Sequence, residues 1–343
     1  MFAACLQRRR TPGRATHLPQ RCRIATFNLE SFGAAGQDRD LFDRRLRHLR
    51  VRLLEIDADV LCLQEVNGDR AEGRGPRAFP ALKALIDGTP YEHFRGSSTV
   101  RPGKGEPADV HNLVTLSRWE IAGARQVYHD YVQRMVWQRP STGPDDEAEV
   151  MVVSWERPIL HTRIGVGGRQ LDVVNVHFRA PRAAFIPGLK AHGEWRSSAA
   201  WAEGLFLSGM KRDGQALEAR MLAESILRDR PDALLAVCGD FNAGAREMAT
   251  RILAAGRQDA EQPSLVGGEL TAIDERIAEA RRYTVLHAGQ HLLPDHILAS
   301  EALARACKHA DVFNDGLDDE ADPAEPIVES LHAPLVAEFE LPD

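Results

Sequence analysis

Short polar clusters follow or begin apolar runs along the whole chain, and this arrangement constrains the fold more than any other feature of the sequence. The clusters are Ala25-Thr26-Phe27-Asn28-Leu29-Glu30, Leu63-Gln64-Glu65-Val66, Asn175-Val176-His177, Gly239-Asp240-Phe241-Asn242, Pro294-Asp295-His296 and Ser330-Leu331-His332. The neighbouring runs, such as 59–63 and 233–238, are short and apolar, which is typical of buried strands. Because strand ends are rigid, polar side chains placed there can converge on one pocket. Carboxylates, amides and imidazoles gathered in this way suit a divalent cation and a phosphate ester.

The composition is that of a globular protein. Of the 343 residues, 43% are hydrophobic and 27% are charged, which is ordinary for globular domains. No apolar run approaches the roughly 18 residues that cross a bilayer. The five cysteines form no CxxC pair, which indicates a reducing compartment. We therefore expect a cytoplasmic protein without a transmembrane segment, and a monomer.

Arginines dominate the start of the chain. The first 23 residues contain no acid and six arginines, which are Arg8, Arg9, Arg10, Arg14, Arg21 and Arg23. A secretory signal would carry an apolar stretch after the basic one, and here the order is reversed. The sequence predicts a disordered basic tail over 1–22, with an organelle transit peptide as the open alternative. We find no linker in the rest, so 23–343 is predicted to be one domain.

The net charge of −7 is unevenly distributed. Residues 311–329 contain eight acids and no base, and this segment is predicted to be a solvated loop without a calcium-binding pattern. A broad basic surface for long nucleic-acid duplexes is not indicated in the remaining chain. An anionic substrate that is held mainly through a metal is still allowed.

Hydrophobic patterning predicts strands that alternate with helices. The predicted strands are 23–27, 60–63, 112–116, 151–155, 160–165, 171–177, 234–238, 295–299 and 334–339. Gly167-Gly168 is predicted to be a hairpin turn. The clearest helix is Asp40–Ile56, with Phe42, Leu46, Leu49 and Leu53 on one face. Its arginine-rich opposite face is predicted to be solvent-exposed.

Each cluster has a structural interpretation beside the functional one. Glu65 either caps a turn or binds a metal, because a buried carboxylate needs a partner. Asp240 and Asn242 either form an Asx turn or orient a water and a phosphate oxygen on one side of the chain. His177 alone would be a core histidine. Asp295 is a natural partner to fix the tautomer of His332. The functional interpretation gains weight because all the clusters must be explained together.

In this order, the clusters resemble those of the endonuclease/exonuclease/phosphatase superfamily. It includes pancreatic-type deoxyribonucleases, abasic-site endonucleases, sphingomyelinases and inositol-polyphosphate phosphatases. The resemblance runs from about Arg23 to Glu340. It implies an α+β fold, a four-layer α/β/β/α sandwich in which two packed, mainly antiparallel sheets are flanked by helices. It also implies a hydrolase that cleaves phosphate ester bonds through a water positioned for in-line attack.

The resemblance also implies roles for individual residues. The metal ligands would be Glu65, Glu30 and Asn28, with Mg²⁺ as the ion and Mn²⁺ as the alternative. The catalytic residues would be His177, Asp240, Asn242, Asp295 and His332. The substrate-binding residues would be Asn28 and Asn112. Arg179, in the basic segment that follows His177, is a further substrate-binding candidate that does not come from the resemblance. The partner would be a phosphate ester in nucleic acid, a phosphorylated small molecule or a lipid headgroup.

One cluster departs from the family pattern. The family usually has Ser-Asp-His where this chain has Ser330-Leu331-His332. The nearest acid, Glu329, stands about 7 Å away along an extended strand. The sequence therefore leaves a second hypothesis open, a weakened family member that binds a phosphorylated ligand without efficient turnover.

The segment 179–212 is the part of the sequence that bears most directly on substrate specificity. It is rich in bases and contains Trp195, Trp201, Phe206 and Met210. Aromatic residues among bases can stack on nucleobases or face lipid headgroups. An amphipathic helical hairpin packed on the body of the protein is an equally good interpretation.

Overall fold

The computed structural model describes residues 20–36, 38–70, 75–101, 103–139, 150–256, 268–323 and 326–341. Strand β1 begins at Gln20, three residues earlier than the sequence predicts. Residues 20–22, which were expected to belong to a disordered tail, pair with the last strand of the chain through Gln20↔Leu341, Arg21↔Glu340 and Cys22↔Phe339. The rest of the predicted tail, 1–19, lies outside the described residues.

Two six-stranded sheets form the centre of the described protein. The first has the order β19-β20-β1-β2-β6-β5, with bounds Cys307–Val312, Leu335–Leu341, Gln20–Phe32, Val60–Val66, Asn112–Ser117 and Arg95–Ser98. The second has the order β15-β18-β14-β11-β10-β7, with bounds Leu270–Ala272, Asp295–Ser300, Leu234–Asp240, Arg169–His177, Ile159–Val166 and Ile121–Val127. In each sheet one pair of strands is parallel, β1 with β2 and β11 with β14, and the other pairs are antiparallel.

Small ribbons and helices complete the architecture. The ribbons pair β3 with β4, β8 with β9, β12 with β13 and β16 with β17, whose bounds are Asp69–Arg70, Arg77–Ala78, Met135–Gln138, Val150–Val153, Lys190–Ala191, Glu194–Trp195, Val285–His287 and Gln290–Leu292. The helices are α1 (Arg39–Ile56), α2 (Pro80–Ile86), α3 (Ser198–Asp229), α4 (Met248–Ala254) and α5 (Glu301–Ala306), with 3₁₀ turns at Pro90–His93, Asp274–Arg276 and Glu279–Arg281.

Alternating side chains on the central strands build three apolar layers. In β1 and β2, Ile24, Val60 and Cys62 face the second sheet, whereas their neighbours Ala25 and Leu61 pack under α1 and α2. In β14 the same alternation places one face between the sheets and the other under α3 and α4. Both faces of these strands are buried, which explains why their sequences are continuous apolar runs. The predicted four-layer α/β/β/α sandwich is confirmed.

Helix α1 also supports the polar end of β1. Its N-terminus is capped by Asp38, which accepts hydrogen bonds from the backbone of Asp40 and Leu41. Its arginine-rich face is not uniformly solvated, because Arg45 is buried. The Arg45 guanidinium donates to the carbonyl oxygens of Leu29 and Glu30 at 3.0 and 2.7 Å, so the helix fixes the backbone where β1 ends.

The other predicted elements agree in position with the structure, with local differences. The Gly167-Gly168 turn joins β10 to β11, as predicted. The strand expected at 151–155 is Val150–Val153 and lies in a separate ribbon rather than in a main sheet. Among the described residues, none of the helices combines the length and apolarity needed to cross a membrane.

The acidic segment 311–329 is held against the protein more firmly than a solvated loop. Asp315 forms an ion pair with Arg281 at 3.0 Å. Asp319 accepts hydrogen bonds from the backbone of Ala288 and Gly289 at 2.8 and 2.7 Å. Residues 324–325 of this segment lie outside the described ranges. Several of the described acids thus pair with bases or accept backbone hydrogen bonds in turns.

Candidate active site

The register of the second sheet places three of the predicted catalytic residues in one row. His177 ends β11 opposite Asp240, the last residue of β14, and Asp240 in turn lies opposite Asp295, the first residue of β18. All three are buried. Because β11 and β14 are parallel, their polar C-terminal residues meet at one edge of the sheet, as the sequence predicted.

Gly239 is what allows β14 to approach β11 closely at this edge. Its φ of 145° lies in a region that L side chains rarely adopt. A Cβ atom added there would stand 1.9 Å from the carbonyl oxygen of Val176. Only glycine fits this position, one residue before Asp240.

Both carboxylate oxygens of Asp240 are held. Asn28 of the first sheet donates its Nδ2 hydrogen to Oδ2 at 3.1 Å, and the backbone N–H of Asn242 donates to Oδ1 at 2.8 Å. Burial and the neighbouring charge of Asp295 raise the pKa of Asp240 to about 7. Asp240 is therefore an oriented carboxylate that can exchange a proton near neutral pH.

Asp295 and His332 form a buried carboxylate–imidazole pair. Nδ1 of His332 lies 2.8 Å from Oδ2 of Asp295, and the hydroxyl of Thr284 donates to the same oxygen at 2.6 Å. Burial opposes the charged imidazole, but the charge of Asp295 and its hydrogen bond prevail and raise the pKa of His332 to about 10. With its pKa raised in this way, His332 is an imidazolium at neutral pH, and its orientation is set by Asp295.

His177 is neutral and faces two carboxylates. Burial and the nearby charge of Arg157 lower the pKa of His177 well below its usual value. Its Nε2 atom lies 3.4 Å from Oδ2 of Asp240 and 3.7 Å from Oε1 of Glu65. Its buried Nδ1 has no hydrogen-bond partner among the described residues. The ring thus links the second sheet to Glu65 in the first.

Glu65 and Glu30 bring carboxylates to the pocket from the first sheet. Both residues have positive φ, 58° and 52°, at irregularities in the pairing of β1 with β2 and of β2 with β6. Ser31 donates its backbone N–H and its hydroxyl to Glu65 at 2.8 and 3.0 Å. Burial would raise the pKa of Glu65, but His111, Arg157 and these hydrogen bonds lower it. Burial raises the pKa of Glu30.

Sequence reasoning missed three residues of this site, Ser31, His111 and Arg157. His111 lies 3.1 Å from the hydroxyl of Ser31 through Nε2 and 3.0 Å from Arg157 through Nδ1. The second guanidinium nitrogen of Arg157 donates to the carbonyl of Phe178 at 3.1 Å. The available signal was positional, because His111 directly precedes a predicted strand and Arg157 stands shortly before another.

The predicted substrate-binding residues have different outcomes. Arg179 lines the cavity and contacts the hydroxyl of Ser208 at 3.3 Å. Asn112 is not among the described residues that line the cavity. Its side chain bonds instead to the carbonyl of Val66 and to the backbone of Ala108. Its amide therefore supports the backbone beside Glu65, and its role in substrate binding stays a prediction.

The Asn28 side chain also forms hydrogen bonds mainly within the protein. Its Nδ2 donates to Asp240, and its Oδ1 accepts the backbone N–H of Glu30 at 3.0 Å. The bond to Asp240 ties the two sheets together at the site, and the bond from Glu30 holds the Asn28 side chain within β1. Asn242, whose φ is 50°, donates its side-chain amide to the carbonyl of Phe178 at 3.1 Å. Both asparagines orient Asp240, Asn28 through its side-chain amide and Asn242 through its backbone N–H.

These side chains line a cavity of about 570 Å³. It contains Glu30, Glu65, His177, Asp240, Asn242 and His332 together with Ser31, His111, Arg157 and Arg179. Bases from 179–182 contribute to its wall, but the tryptophans of the 179–212 segment do not, among the residues described. Trp195 packs against Gly204 of α3 and Trp201 is exposed. The tryptophans therefore do not form a stacking surface inside the cavity.

Two groups of oxygen and nitrogen donors could hold a metal ion. In the described residues, ligand atoms of Asp240, Asp295 and His332 lie within 4.8 Å of one another. The second group is the sequence-predicted one, Glu65, Glu30 and Asn28; burial raises the pKa of Glu30, so a cation beside it would stabilise its charged form. The hard oxygen donors of Glu65 and Glu30 fit an ion such as Mg²⁺.

Leu331 occupies the wall of the cavity beside His332 and is almost fully buried. Glu329 does not take the place of the absent carboxylate. Its oxygens lie 3.0 Å from Nδ1 of His48 and 3.4 Å from the guanidinium of Arg52, both on α1. Glu329 therefore pairs with residues of α1, and the position beside His332 is occupied by the apolar side chain of Leu331.

Comparison with known proteins bears on the family and the fold of the chain. A family model described as the endonuclease/exonuclease/phosphatase family matches residues 25–316. Among curated protein sequences, none matches the chain significantly. A family protein from Bacteroides thetaiotaomicron is similar in structure, with 14% identity, a TM-score of 0.58, and coverage of 95% of this chain and 97% of that one.

Two further solved structures show the same fold. A mannosyl-6-phosphatase from Bacteroides thetaiotaomicron has 15% identity and a TM-score of 0.55, with coverage of 92% of this chain and 98% of that one. An AP endonuclease from Archaeoglobus fulgidus has 18% identity and a TM-score of 0.52, with coverage of 93% and 100%. At these identities the likeness concerns the fold.

Proposed function

This chain belongs to the endonuclease/exonuclease/phosphatase family, and from that premise we propose that it is a Mg²⁺-dependent hydrolase of phosphate esters. The observation that carries the proposal is the placement of Asp240 and His332 in one cavity. A buried carboxylate with a pKa of about 7 faces an imidazolium that Asp295 keeps protonated. Such a pair supplies a base and an acid on the two sides of a reacting phosphate.

Asp240 is the residue that positions the attacking water and accepts its proton. The bonds from Asn28 and Asn242 fix both of its oxygens, so its orientation does not depend on the substrate. Phosphate transfer relies on such positioning and on charge stabilisation. The role of Asn242 is to hold the Asp240 carboxylate through its backbone N–H, so that this carboxylate faces the reacting water.

Cationic and neutral donors surround the phosphate. His332 stabilises the negative charge that develops on the phosphate oxygens or donates a proton, with Asp295 fixing its tautomer. His177 stays neutral and donates a hydrogen bond from Nε2. The role of Arg179, at the edge of the cavity, is to bind the substrate.

Glu65 and Glu30, with Asn28 beside them, would hold the Mg²⁺ ion, and Mn²⁺ would fit the same oxygen ligands. When bound, the ion supplies Lewis-acid stabilisation of a phosphate oxygen and of the leaving group. The bonds from Ser31 orient Glu65 for this purpose. The observation that supports the assignment is the burial that raises the pKa of Glu30, since a cation beside this carboxylate would stabilise its charged form.

A second candidate function is a weakened family member that binds a phosphorylated ligand without efficient turnover. Leu331 favours it, because an apolar side chain lies where a carboxylate would strengthen the metal's surroundings. Outer groups of this kind are typically worth about 10- to 100-fold in metal affinity or activity. Both candidate functions predict binding of a phosphate ester, and they differ in whether the bound ester is hydrolysed efficiently. The cytoplasmic location, the monomeric state and the single domain over 23–343 stay predictions.

Hydrolysis of bis-p-nitrophenyl phosphate and p-nitrophenyl phosphate with and without Mg²⁺ tests the proposal. We expect Mg²⁺-stimulated turnover that Glu65→Gln abolishes in a folded protein, whereas Glu120→Gln, at an exposed carboxylate, leaves it unchanged. Turnover that persists in the Glu65→Gln protein would remove Glu65 from the metal site. Ligand binding without turnover in the wild-type protein would favour the second candidate.

The natural substrate is to be sought among phosphate esters in nucleic acids, phosphorylated small molecules and lipid headgroups. The compounds to compare are abasic DNA, single-stranded DNA, RNA, sphingomyelin, inositol phosphates and sugar phosphates. Preference among them is measured as the ratio of kcat/KM values. Uniform low activity on all of them would again favour the binding function.

A further inference from the structure

Besides the pair of Asp295 and His332, a second carboxylate–imidazole pair lies at the cavity that His332 lines. Oε1 of Glu320 lies 2.7 Å from Nδ1 of His287, and both residues line the cavity. Glu320 belongs to the acidic segment 311–329, and His287 ends β16. Neither residue has a part in the mechanism proposed above, and no pattern in the sequence connects them.

The backbone holds this pair in place. The N–H of Glu320 donates to the carbonyl of Leu286 at 2.8 Å, next to His287. Asp319 accepts two backbone hydrogen bonds from the turn that joins β16 to β17. The acidic segment is therefore docked on this ribbon, and the position of the Glu320 side chain is set by the fold rather than by chance contact in solvent.

The pair is open to the cavity and to solvent. The side chains of His287 and Glu320 are 51% and 31% exposed. Their bond uses one oxygen of Glu320 and one nitrogen of His287, and no other described residue bonds to the remaining oxygen or nitrogen. These free atoms are available to a ligand whose phosphate occupies the centre of the cavity. Glu320 is also close enough for its charge to raise the pKa of Glu30.

The chemistry of this subsite selects among phosphate esters. A carboxylate accepts hydrogen bonds from hydroxyl groups and repels a second phosphate, and the adjacent imidazole can donate to or accept from a hydroxyl. Val285, Leu292 and Leu331 line the cavity nearby, and they offer an apolar surface to the carbon skeleton of the ligand. A polyol or sugar has both kinds of surface, hydroxyl edges and an apolar ring face.

We propose that Glu320 and His287 form a specificity subsite that binds hydroxyl groups of the substrate's organic part. The preferred substrate is then a phosphate ester of a hydroxylated, otherwise uncharged small molecule, such as a sugar phosphate, and a second phosphate on that molecule is disfavoured. The inference rests on the proposed phosphoesterase function and adds the substrate class to it.

Kinetics with three esters tests the subsite. The esters are a hexose 6-phosphate, the hexose 1,6-bisphosphate and p-nitrophenyl phosphate, which has no hydroxyl on its ring. Glu320→Gln is expected to raise KM for the hexose 6-phosphate about tenfold, because it removes a charged acceptor. It should reduce the preference over the bisphosphate and leave kcat on p-nitrophenyl phosphate unchanged. His287→Gln should act in the same direction. Asp318→Asn, at an exposed acid of the same segment, is the matched control.

Two results would overturn the inference. One is an equal loss on all three esters with weaker activation by Mg²⁺, which would make Glu320 part of the metal site. The other is unchanged selectivity in both variants. Failure of the wild-type protein to hydrolyse any ester would contradict the proposed function instead. Calorimetric binding of the two hexose phosphates then decides about the subsite. Tighter binding of the monophosphate, lost in Glu320→Gln, supports it, and equal binding overturns it.

Discussion

The Nε2 atom of His177 lies 3.4 Å from the Oδ2 atom of Asp240. The two residues are partners across the parallel strands β11 and β14, so the register of one sheet fixes the distance between them. The same oxygen of Asp240 accepts a hydrogen bond from Asn28, which is 212 positions away in the sequence. Contacts from both sheets thus meet on one carboxylate.

Asp240→Asn is expected to lower turnover roughly 100- to 10,000-fold, because the amide cannot accept the proton of the attacking water. The fold should persist, since the amide keeps the shape of the side chain. Steady-state hydrolysis of bis-p-nitrophenyl phosphate measures the effect, and circular dichroism checks the fold. Asp232→Asn, at a highly exposed carboxylate, is the control. A turnover within threefold of the wild type would assign the base role to another residue.

The activity is expected to rise as the pH increases through about 7, because Asp240, with its pKa of about 7, acts as a base only when ionised. His332, with its pKa of about 10, acts as an acid only when protonated, so the activity should fall as the pH passes about 10. A bound cation lowers the pKa of a neighbouring carboxyl. The lower limb should therefore shift to lower pH at saturating Mg²⁺.

The measurement is the dependence of kcat/KM on pH at several Mg²⁺ concentrations, with pH stability checked separately. Asp240→Asn should remove the lower limb from any residual activity. A profile that is flat between pH 5 and 9 at low Mg²⁺ would contradict the assignment of Asp240, and activity that does not fall above about pH 10 would contradict that of His332.

Leu331→Asp is expected to tighten Mg²⁺ activation about 10- to 100-fold and to raise turnover. The new carboxylate would stand beside His332, on the cavity wall that Leu331 occupies, and Glu329 is held elsewhere by His48 and Arg52. Mg²⁺ titration of the activity measures the effect. Leu331→Asn separates the charge from the change in shape and should give little gain. Lower activity in the Asp variant would mean that the apolar wall is itself required.

Gly239→Ala is expected to destabilise the protein by about 3 kcal/mol or more, because a methyl group would collide with the carbonyl of Val176 at an unfavourable φ. Urea denaturation measures the free energy of unfolding. Gly209→Ala, within α3 and with open space around its Cβ position, should instead stabilise by about 1 kcal/mol. Equal effects at the two positions would show that backbone geometry at Gly239 is not limiting.

Much of the architecture was accessible from the sequence, for a physical reason. Strands buried on both faces must be apolar over most of their length, so β2 and β14 appear as short apolar runs that end in polar residues. Helix α1 shows its buried face through the spacing of Phe42, Leu49 and Leu53. The polar residues at the strand ends made His177, Asp240 and Asp295 candidate site residues. The order of the clusters along the chain indicated the family and, through it, the fold.

Tertiary structure alone decided which polar groups meet. The direction of Glu65 depends on its positive φ at an irregular strand pairing, which no residue spacing reveals. Arg157 and His111 join the site through contacts between distant loops. Asn112, which stands at a strand end like the others, turns its amide to the backbone instead.

The same distinction applies to the acidic residues near Leu331. The sequence established that Leu331 interrupts the family pattern and that Glu329 is the nearest acid. Glu329 lies instead against α1, while Glu320 reaches the cavity beside His287. Proximity along the chain limits only how far apart two residues can lie. A charged side chain is buried where a residue distant in sequence compensates its charge, and otherwise it stays in solvent. The sequence therefore determined which chemical groups this protein has at its strand ends, and the packing of two sheets determined which of them share a pocket.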